Sequence, residues 1–278
     1  MELDIAIVQF EVKLNSLEDS LKRAGKYILK AKKIGVDVVC FSEYFLTGSL
    51  NYYQNSETIQ KLITNFPKRF KTYFKKLSKE QNITIIGGTI LEKLKDTNIV
   101  NRCYIFKNGK IISHYDKMNL FGEIGISAGT DLPEIIDING VKVAVTICRD
   151  IFHPALYQTL AKNGAQVIFL PSMWSVDSDE YADTNATAAS YQMGNLANRV
   201  TKTLGASRAL ENGIFIAFVN GCGTLRIGEK FDILLGKSFV ASPIAGITEK
   251  SVYLKREEIF HSCIDTNEVE YTKALYNL

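Results

Sequence analysis

The strongest constraint on the fold lies at the N-terminal end, where two strand-type runs bracket one amphipathic helix. Residues 3–9, Leu3-Asp4-Ile5-Ala6-Ile7-Val8-Gln9, read as a mostly buried strand. Leu17, Leu21, Ala24, Ile28 and Ala31 then recur at steps of four and three, which makes one apolar helix face. Ser16 with Asp19 predicts a capping box at the start of that helix. Lys30, Lys32 and Lys33 ahead of Gly35 predict its end. A second strand follows at 36–41. Two strands joined through a helix run parallel in one sheet.

The alternation continues. A helix is predicted over about 57–79, then strands at 83–89, 102–106 and 110–115, with Asn108-Gly109 as a tight hairpin turn. A second hairpin pairs 134–138 with 141–147 across Asn139-Gly140. A helix over 154–162 leads to a strand at 166–170. Residues 172–207 form a long polar segment with Trp174, Tyr181, Tyr191 and Met193 set in it. With so little apolar periodicity it predicts a surface loop or a mobile lid. A helical end at 208–213 precedes strands at 214–220, 237–241, 247–253 and 259–265. There is no Pro/Ser-rich linker and no repeat, so residues 1–278 read as one α/β domain with a mixed sheet.

Composition narrows the function. The net charge of +3 is too small to argue for nucleic acid or a membrane surface as partner. No apolar run approaches the ~20 residues that span a bilayer. The five cysteines, Cys40, Cys103, Cys148, Cys222 and Cys263, are odd in number and unpaired in spacing. Met1-Glu2-Leu3-Asp4 starts acidic and does not look like a signal peptide, so reduced thiols and a cytoplasmic location are expected. Neither Cys-x-x-Cys nor His-Glu-x-x-His occurs, so no metal is expected. Gly221-Cys222-Gly223 fails the dinucleotide fingerprint because position 226 is Arg, and no phosphate loop is present. No cofactor is expected.

Three strand-type runs each end on a residue able to do chemistry. Cys148 follows 141–147 and precedes Arg149-Asp150-Ile151-Phe152-His153-Pro154. A sharp strand-to-helix turn would expose that thiol, and free N–H groups with a positive helix end would favour the thiolate. Glu43 follows the second strand, and Lys117 follows the run 110–116. Taken singly, Cys148 reads as a small buried hydrophobe, Glu43 as a helix-capping acid and Lys117 as a surface lysine. A Cys–His arrangement would need a base among His114, His153 and His261, and His153 reads as a helix-start residue.

The surroundings raise these readings. Phe41-Ser42-Glu43-Tyr44-Phe45-Leu46-Thr47-Gly48, His114-Tyr115-Asp116-Lys117-Met118-Asn119-Leu120-Phe121 and Thr146-Ile147-Cys148-Arg149-Asp150-Ile151-Phe152-His153-Pro154 occur in this order. They resemble the carbon–nitrogen hydrolase (nitrilase) superfamily. Phe169-Leu170-Pro171-Ser172, Ser207-Arg208-Ala209-Leu210-Glu211-Asn212, Asn220 and Gly236-Lys237-Ser238-Phe239-Val240 match as well, so the resemblance runs from Ile5 to Asp265. It implies a four-layer αββα sandwich and a Glu-Lys-Cys triad. Cys148 would be the nucleophile, Glu43 the general base and Lys117 the electrostatic stabiliser. The backbone N–H of Arg149 would share the oxyanion with Lys117, and Glu123 would be a second, orienting glutamate. Dimers or larger homo-oligomers are implied too. Ser49 and Ala155 depart from residues common in the family, Tyr and Glu respectively, and neither touches the triad.

The activity implied is hydrolysis of a small linear amide through a Cys thioester, with release of ammonia. N-carbamoyl compounds and nitriles are the alternatives, and Asp150 favours an amide or carbamoyl substrate over a nitrile. A non-catalytic binding member of the fold would lack a triad residue, and all three are present. An amine could also capture the thioester, as in an N-acyltransferase. Met173 and Trp174 would wall the acyl pocket, while the Arg149 side chain could meet a polar or anionic tail; the plainer reading of the segment 172–207 is a solvent loop or part of a subunit contact, and of Trp174 a core residue.

Overall fold

The computed structural model describes residues 1–177, 187–252 and 256–278. The chain begins β1 (Glu2–Gln9), α1 (Leu17–Ile34), β2 (Val38–Phe41), α2 (Ser56–Gln60) and α3 (Phe66–Glu80). Next come β3 (Thr84–Ile86), β4 (Ile90–Lys93), β5 (Ile99–Lys107), β6 (Lys110–Asp116), β7 (Ile136–Ile138) and β8 (Val141–Val145). The middle holds α4 (Pro154–Lys162), β9 (Val167–Ser172), β10 (Ser175–Asp177), α5 (Thr187–Asn212) and β11 (Phe215–Asn220). The chain closes with β12 (Cys222–Ile227), β13 (Lys230–Leu235), β14 (Phe239–Ser242), β15 (Gly246–Lys250), β16 (Glu258–Asp265) and α6 (Thr266–Tyr276).

One sheet runs β16-β1-β2-β3-β5-β4, with β6 on β5, and a second runs β15-β14-β11-β9-β8-β7. β1 and β2 are parallel, as the β-α-β reading requires, and so are β8 with β9 and β9 with β11. Side-chain alternation shows how the layers stack. Ile5, Ile7, Val38 and Cys40 of the first sheet share a core with Val143, Val145, Val167, Phe169, Ala217 and Val219 of the second. The opposite faces pack on helices. Ala6, Val8, Val39 and Phe41 meet Leu21, Ile28, Phe70 and Phe74 of α1 and α3. Ala144, Ile168, Ile216 and Phe218 meet Leu156, Leu160 and Ala209 of α4 and α5. The order is therefore α, β, β, α. Strands buried on both faces carry continuous apolar runs, which is why these segments were legible.

Several local expectations are corrected. The Ser16 side chain caps nothing; its hydroxyl donates to the Leu14 carbonyl at 3.2 Å, and Asp19 pairs with Arg23 at 2.8 Å. Helix 57–79 is interrupted by one wide turn at Lys61–Asn65, just before Pro67, which has no N–H to give. The polar segment 172–207 is mostly regular: β9 reaches Ser172, β10 follows, and α5 begins at Thr187. The inner face of α5 carries Thr201, Gly205, Arg208, Ala209 and Asn212, at helical spacing but with almost no apolar bulk. Gly205 is there because a Cβ would lie 2.6 Å from the Phe239 ring. Residues 178–186, Tyr181 among them, lie outside the described residues, as do Tyr253 and the side chains of Tyr191 and Met193. No helix among the described residues is long and apolar enough to cross a membrane.

Candidate active site

Glu43, Lys117 and Cys148 sit just past the ends of β2, β6 and β8, so two different sheets deliver them to one cavity of about 350 Å³. Lys117 Nζ donates to Glu43 Oε1 at 2.9 Å and to Glu123 Oε1 at 2.6 Å. Asn101, on β5, donates its side-chain N–H to Glu43 Oε1 at 2.8 Å and accepts the Lys117 backbone N–H at 2.9 Å. Glu123 is held from its own loop by the Phe121 backbone N–H. The side chains of Glu43 and Lys117 are each 2% exposed. The backbone packs tightly beneath them: a Cβ on Gly88 would fall 2.2 Å from the Ser42 carbonyl oxygen.

Cys148 begins a short turn, Cys148–Phe152, with φ 45, and Tyr44 beside Glu43 has φ 51. Left-handed backbone at residues other than glycine persists only where the surroundings over-determine it. Here Asp150 supplies that determination. Its carboxylate accepts the Ile147 N–H at 2.8 Å, the Tyr115 hydroxyl at 2.8 Å, and the Asn119 backbone and side-chain N–H groups at 3.1 and 2.8 Å. One buried acid thus ties the Cys148 turn to the segment that carries Lys117. Asp150 is fully buried in these bonds and fixes the geometry of the turn.

Electrostatics correct another expectation. Cys148 is 8% exposed, not presented to solvent. Burial, reinforced by the Glu43 charge, pushes its thiol well above the usual range, against the opposing pull of Lys117 and the Met173 backbone N–H. Burial therefore favours the neutral thiol over the thiolate. Burial also raises Glu43; Lys117 opposes this and Glu123 adds to it. Burial alone would lower Lys117, but the carboxylates beside it, Glu43 ahead of Glu123, outweigh burial, raise it and favour the charged ammonium.

The cavity is walled by Met173 and Trp174, both singled out by sequence, and by Phe121, Phe152, Tyr52 and Asp232, which were not. Trp174 is half-buried and stacks on Phe152, with centroids 5.9 Å apart. Asn220 grips its backbone, accepting the Trp174 N–H at 2.8 Å while donating to the Gly236 carbonyl at 2.9 Å. The Tyr52 hydroxyl bonds Asp232 on the far wall. Tyr52 and Asp232 come from a single helical turn, Leu50–Tyr52, and from the small sheet β10-β13-β12, neither of which carried a motif. Among the described residues, no group of three or more His, Cys, Asp or Glu is placed to hold a metal ion.

Residues 4–273 match the carbon-nitrogen hydrolase family. The chain is 27% identical to a probable hydrolase, YhcX, of Bacillus subtilis over 247 residues, which is 86% of this chain and 44% of that protein's length. It is 25% identical to the 2-oxoglutaramate amidase of the same organism, across 81% of this chain and 78% of the relative. Among solved structures, Saccharomyces cerevisiae Nit3, a member of branch 10 of the nitrilase superfamily, superposes with a TM-score of 0.81 at 24% identity, covering 100% of this chain and 95% of Nit3. This chain belongs to the carbon–nitrogen hydrolase (nitrilase) superfamily.

Proposed function

We propose that this chain hydrolyses the C–N bond of a small linear amide through a thioester on Cys148, releasing ammonia and a carboxylic acid. The observation that carries the reading is Lys117 held between Glu43 and Glu123, at 2.9 and 2.6 Å, in the cavity that Cys148 lines. An amidase among the relatives is consistent with it.

Each group has a task that its surroundings fit. A buried thiolate beside a carboxylate is disfavoured, so the thiol proton passes to Glu43 as sulfur attacks the amide carbon. The Lys117 ammonium and the Arg149 backbone N–H hold the oxyanion. Glu43 returns the proton to nitrogen as the C–N bond breaks and ammonia leaves. Water then attacks the thioester, Glu43 takes its proton, and the sulfur leaves as a thiol again. Glu123 keeps Lys117 charged and directed. Ammonia release across linear amides, N-carbamoyl amino acids and nitriles tests the reading, and exclusive turnover of nitriles would overturn it.

Two predictions concern this assignment. Glu43→Gln should slow both acylation and thioester hydrolysis by about 10²–10⁴-fold, because one base serves both; a change confined to substrate affinity would contradict that role. The acid limb of kcat/KM should lie above the ordinary glutamate value of 4.5, because burial raises Glu43. Glu123 contributes to that rise, so Glu123→Gln should move the limb to lower pH. An unmoved limb would assign it to another group.

Trp174→Ala should reorder amides of different acyl length, since the indole forms the wall beside Cys148. The ring is half-buried, so its stability cost should stay below the about 3–5 kcal/mol of a fully buried aromatic. Unchanged substrate ranking with a large fall in Tm would make Trp174 purely a core residue.

A further inference from the structure

We propose that Asn101 is a positioning residue for the proton of the nucleophile: by occupying Oε1 of Glu43 it fixes that carboxyl so that Oε2 takes the proton from the Cys148 thiol. This rests on the amide-hydrolase reading for the substrate alone. Asn101 stands on β5, 0% exposed and 58 residues from Glu43 in sequence. Its side-chain N–H donates to Glu43 Oε1 at 2.8 Å, and the Lys117 ammonium donates to the same oxygen at 2.9 Å. A carboxylate offers about four lone-pair sites, shared between its two oxygens. Two donors, one of them charged, therefore fill Oε1, and Oε2 is the oxygen with room for a proton. The same carboxyl is close enough to Cys148 for its charge to raise the thiol.

The Asn101 side chain holds nothing else. Its Oδ1 finds no partner among the described residues, so its one hydrogen bond there is the bond to Glu43. The link from Asn101 to Lys117 runs through backbone instead, where the Lys117 N–H donates to the Asn101 carbonyl at 2.9 Å. A changed side chain at 101 therefore leaves the Lys117 backbone in place and removes one bond, to the base alone. Glu43 would then keep a single anchor, at the tip of a long side chain. Its carboxyl could turn about its last torsion, which is broad for glutamate, and so take the base off the sulfur. The Asn101 bond also favours the carboxylate over the acid, as a donor to the charged form does, and so opposes burial. In the reaction the thiol proton passes to Oε2 as sulfur bonds the amide carbon and the carbonyl pair moves to oxygen. Oε2 returns it to nitrogen as the C–N bond breaks.

Asn101→Leu, close in volume and without an N–H, should lower kcat about 10–100-fold with KM within about twofold, the scale of a hydrogen bond to a charged group. Its acid limb of kcat/KM should move to higher pH, opposite to the shift of Glu123→Gln, because Glu43 loses a donor that favours its charge. The titratable groups that face Glu43, namely Lys117, Glu123, Cys148 and Tyr44, are all unaltered. Asn101→Ala removes the same bond without crowding and decides the matter if the leucine variant does not fold. Iodoacetamide labelling of Cys148, followed on its own peptide across pH, gives a readout free of turnover, and its acid limb should shift the same way. Unmoved limbs in both assays, limbs moved to lower pH, a loss confined to KM, or a lowered Tm with an unchanged pH profile overturns the proposal. If no amide releases ammonia while the labelling limb still depends on Asn101, the amide-hydrolase reading fails and the positioning role stands.

Discussion

Cys148→Ala should abolish turnover, on the order of 10⁶-fold as when a comparable triad loses its nucleophile, and leave the fold intact. No other described cysteine can replace the sulfur. Cys40, Cys103 and Cys222 are buried in the core, and Cys263 is exposed on β16, away from the cavity. The fold should survive because the Cys148 turn is held by its neighbours. Asp150 binds the Ile147 N–H at 2.8 Å, and Arg208 donates to the Ile151 carbonyl at 3.0 Å; neither bond uses the thiol. Ammonia release and a thermal melt of the same sample measure the two halves. A substrate-derived adduct, located by mass spectrometry, should sit on Cys148 alone. A rate within about tenfold of wild type would rule out a thioester route.

Much of the scaffold was legible because its strands are buried on both faces. Residues 5–8 of β1, all of β2, 167–171 of β9 and 215–219 of β11 are apolar without a break, and the two Asn-Gly turns bend as that dipeptide dictates, with φ 51 and 78 at Asn108 and Gly109. What was not legible shares one cause. The α5 helix turns Thr201, Gly205, Arg208 and Asn212 inward, where a periodicity search expects leucines. The terminal helix α6 buries Thr266, Val269 and Thr272, again a weak stripe. The small sheet β10-β13-β12 has no Asn-Gly turn to announce its hairpin.

The site shows the same division. Glu43, Lys117 and Cys148 were found because each stands at the end of a readable strand within a family block. Their mutual distances and the thiol's protonation were not readable, because they depend on burial and on charges distant in sequence. Glu43 and Lys117 are 74 residues apart. Asp150 stands out in sequence only by its place two residues after Cys148; that it also fixes the turn is visible only in the four donors converging on it. Tyr52 and Asp232, 180 residues apart, meet through tertiary structure alone.

Lys117→Met should fail in two ways at once, and pH separates them. Catalytically, the oxyanion loses its ammonium partner, a loss of about 10²–10³-fold by itself. Structurally, Glu43 and Glu123 are left facing one another, with side chains 2% and 7% exposed and no cation between them. Breaking a buried pair from one side costs about 3–5 kcal/mol, because the remaining charge is uncompensated. Glu43, already raised by burial, loses the ammonium that opposes the rise, so it binds a proton more readily and its folded-state pKa climbs further above the unfolded one. A raised folded pKa contributes stability below the unfolded pKa and loses it as pH rises. The variant should therefore come nearest to wild-type stability in acid and fall furthest behind at neutral pH, whereas loss of a packing side chain alone would give a deficit that ignores pH. Thermal melts across pH, beside ammonia-release rates, measure this. Adding Glu123→Gln to Lys117→Met removes one of the two stranded charges and should restore part of the neutral-pH stability while restoring no activity. A stability deficit that ignores pH, or a double variant that regains turnover, would mean that Lys117 acts by filling space and not through its charge.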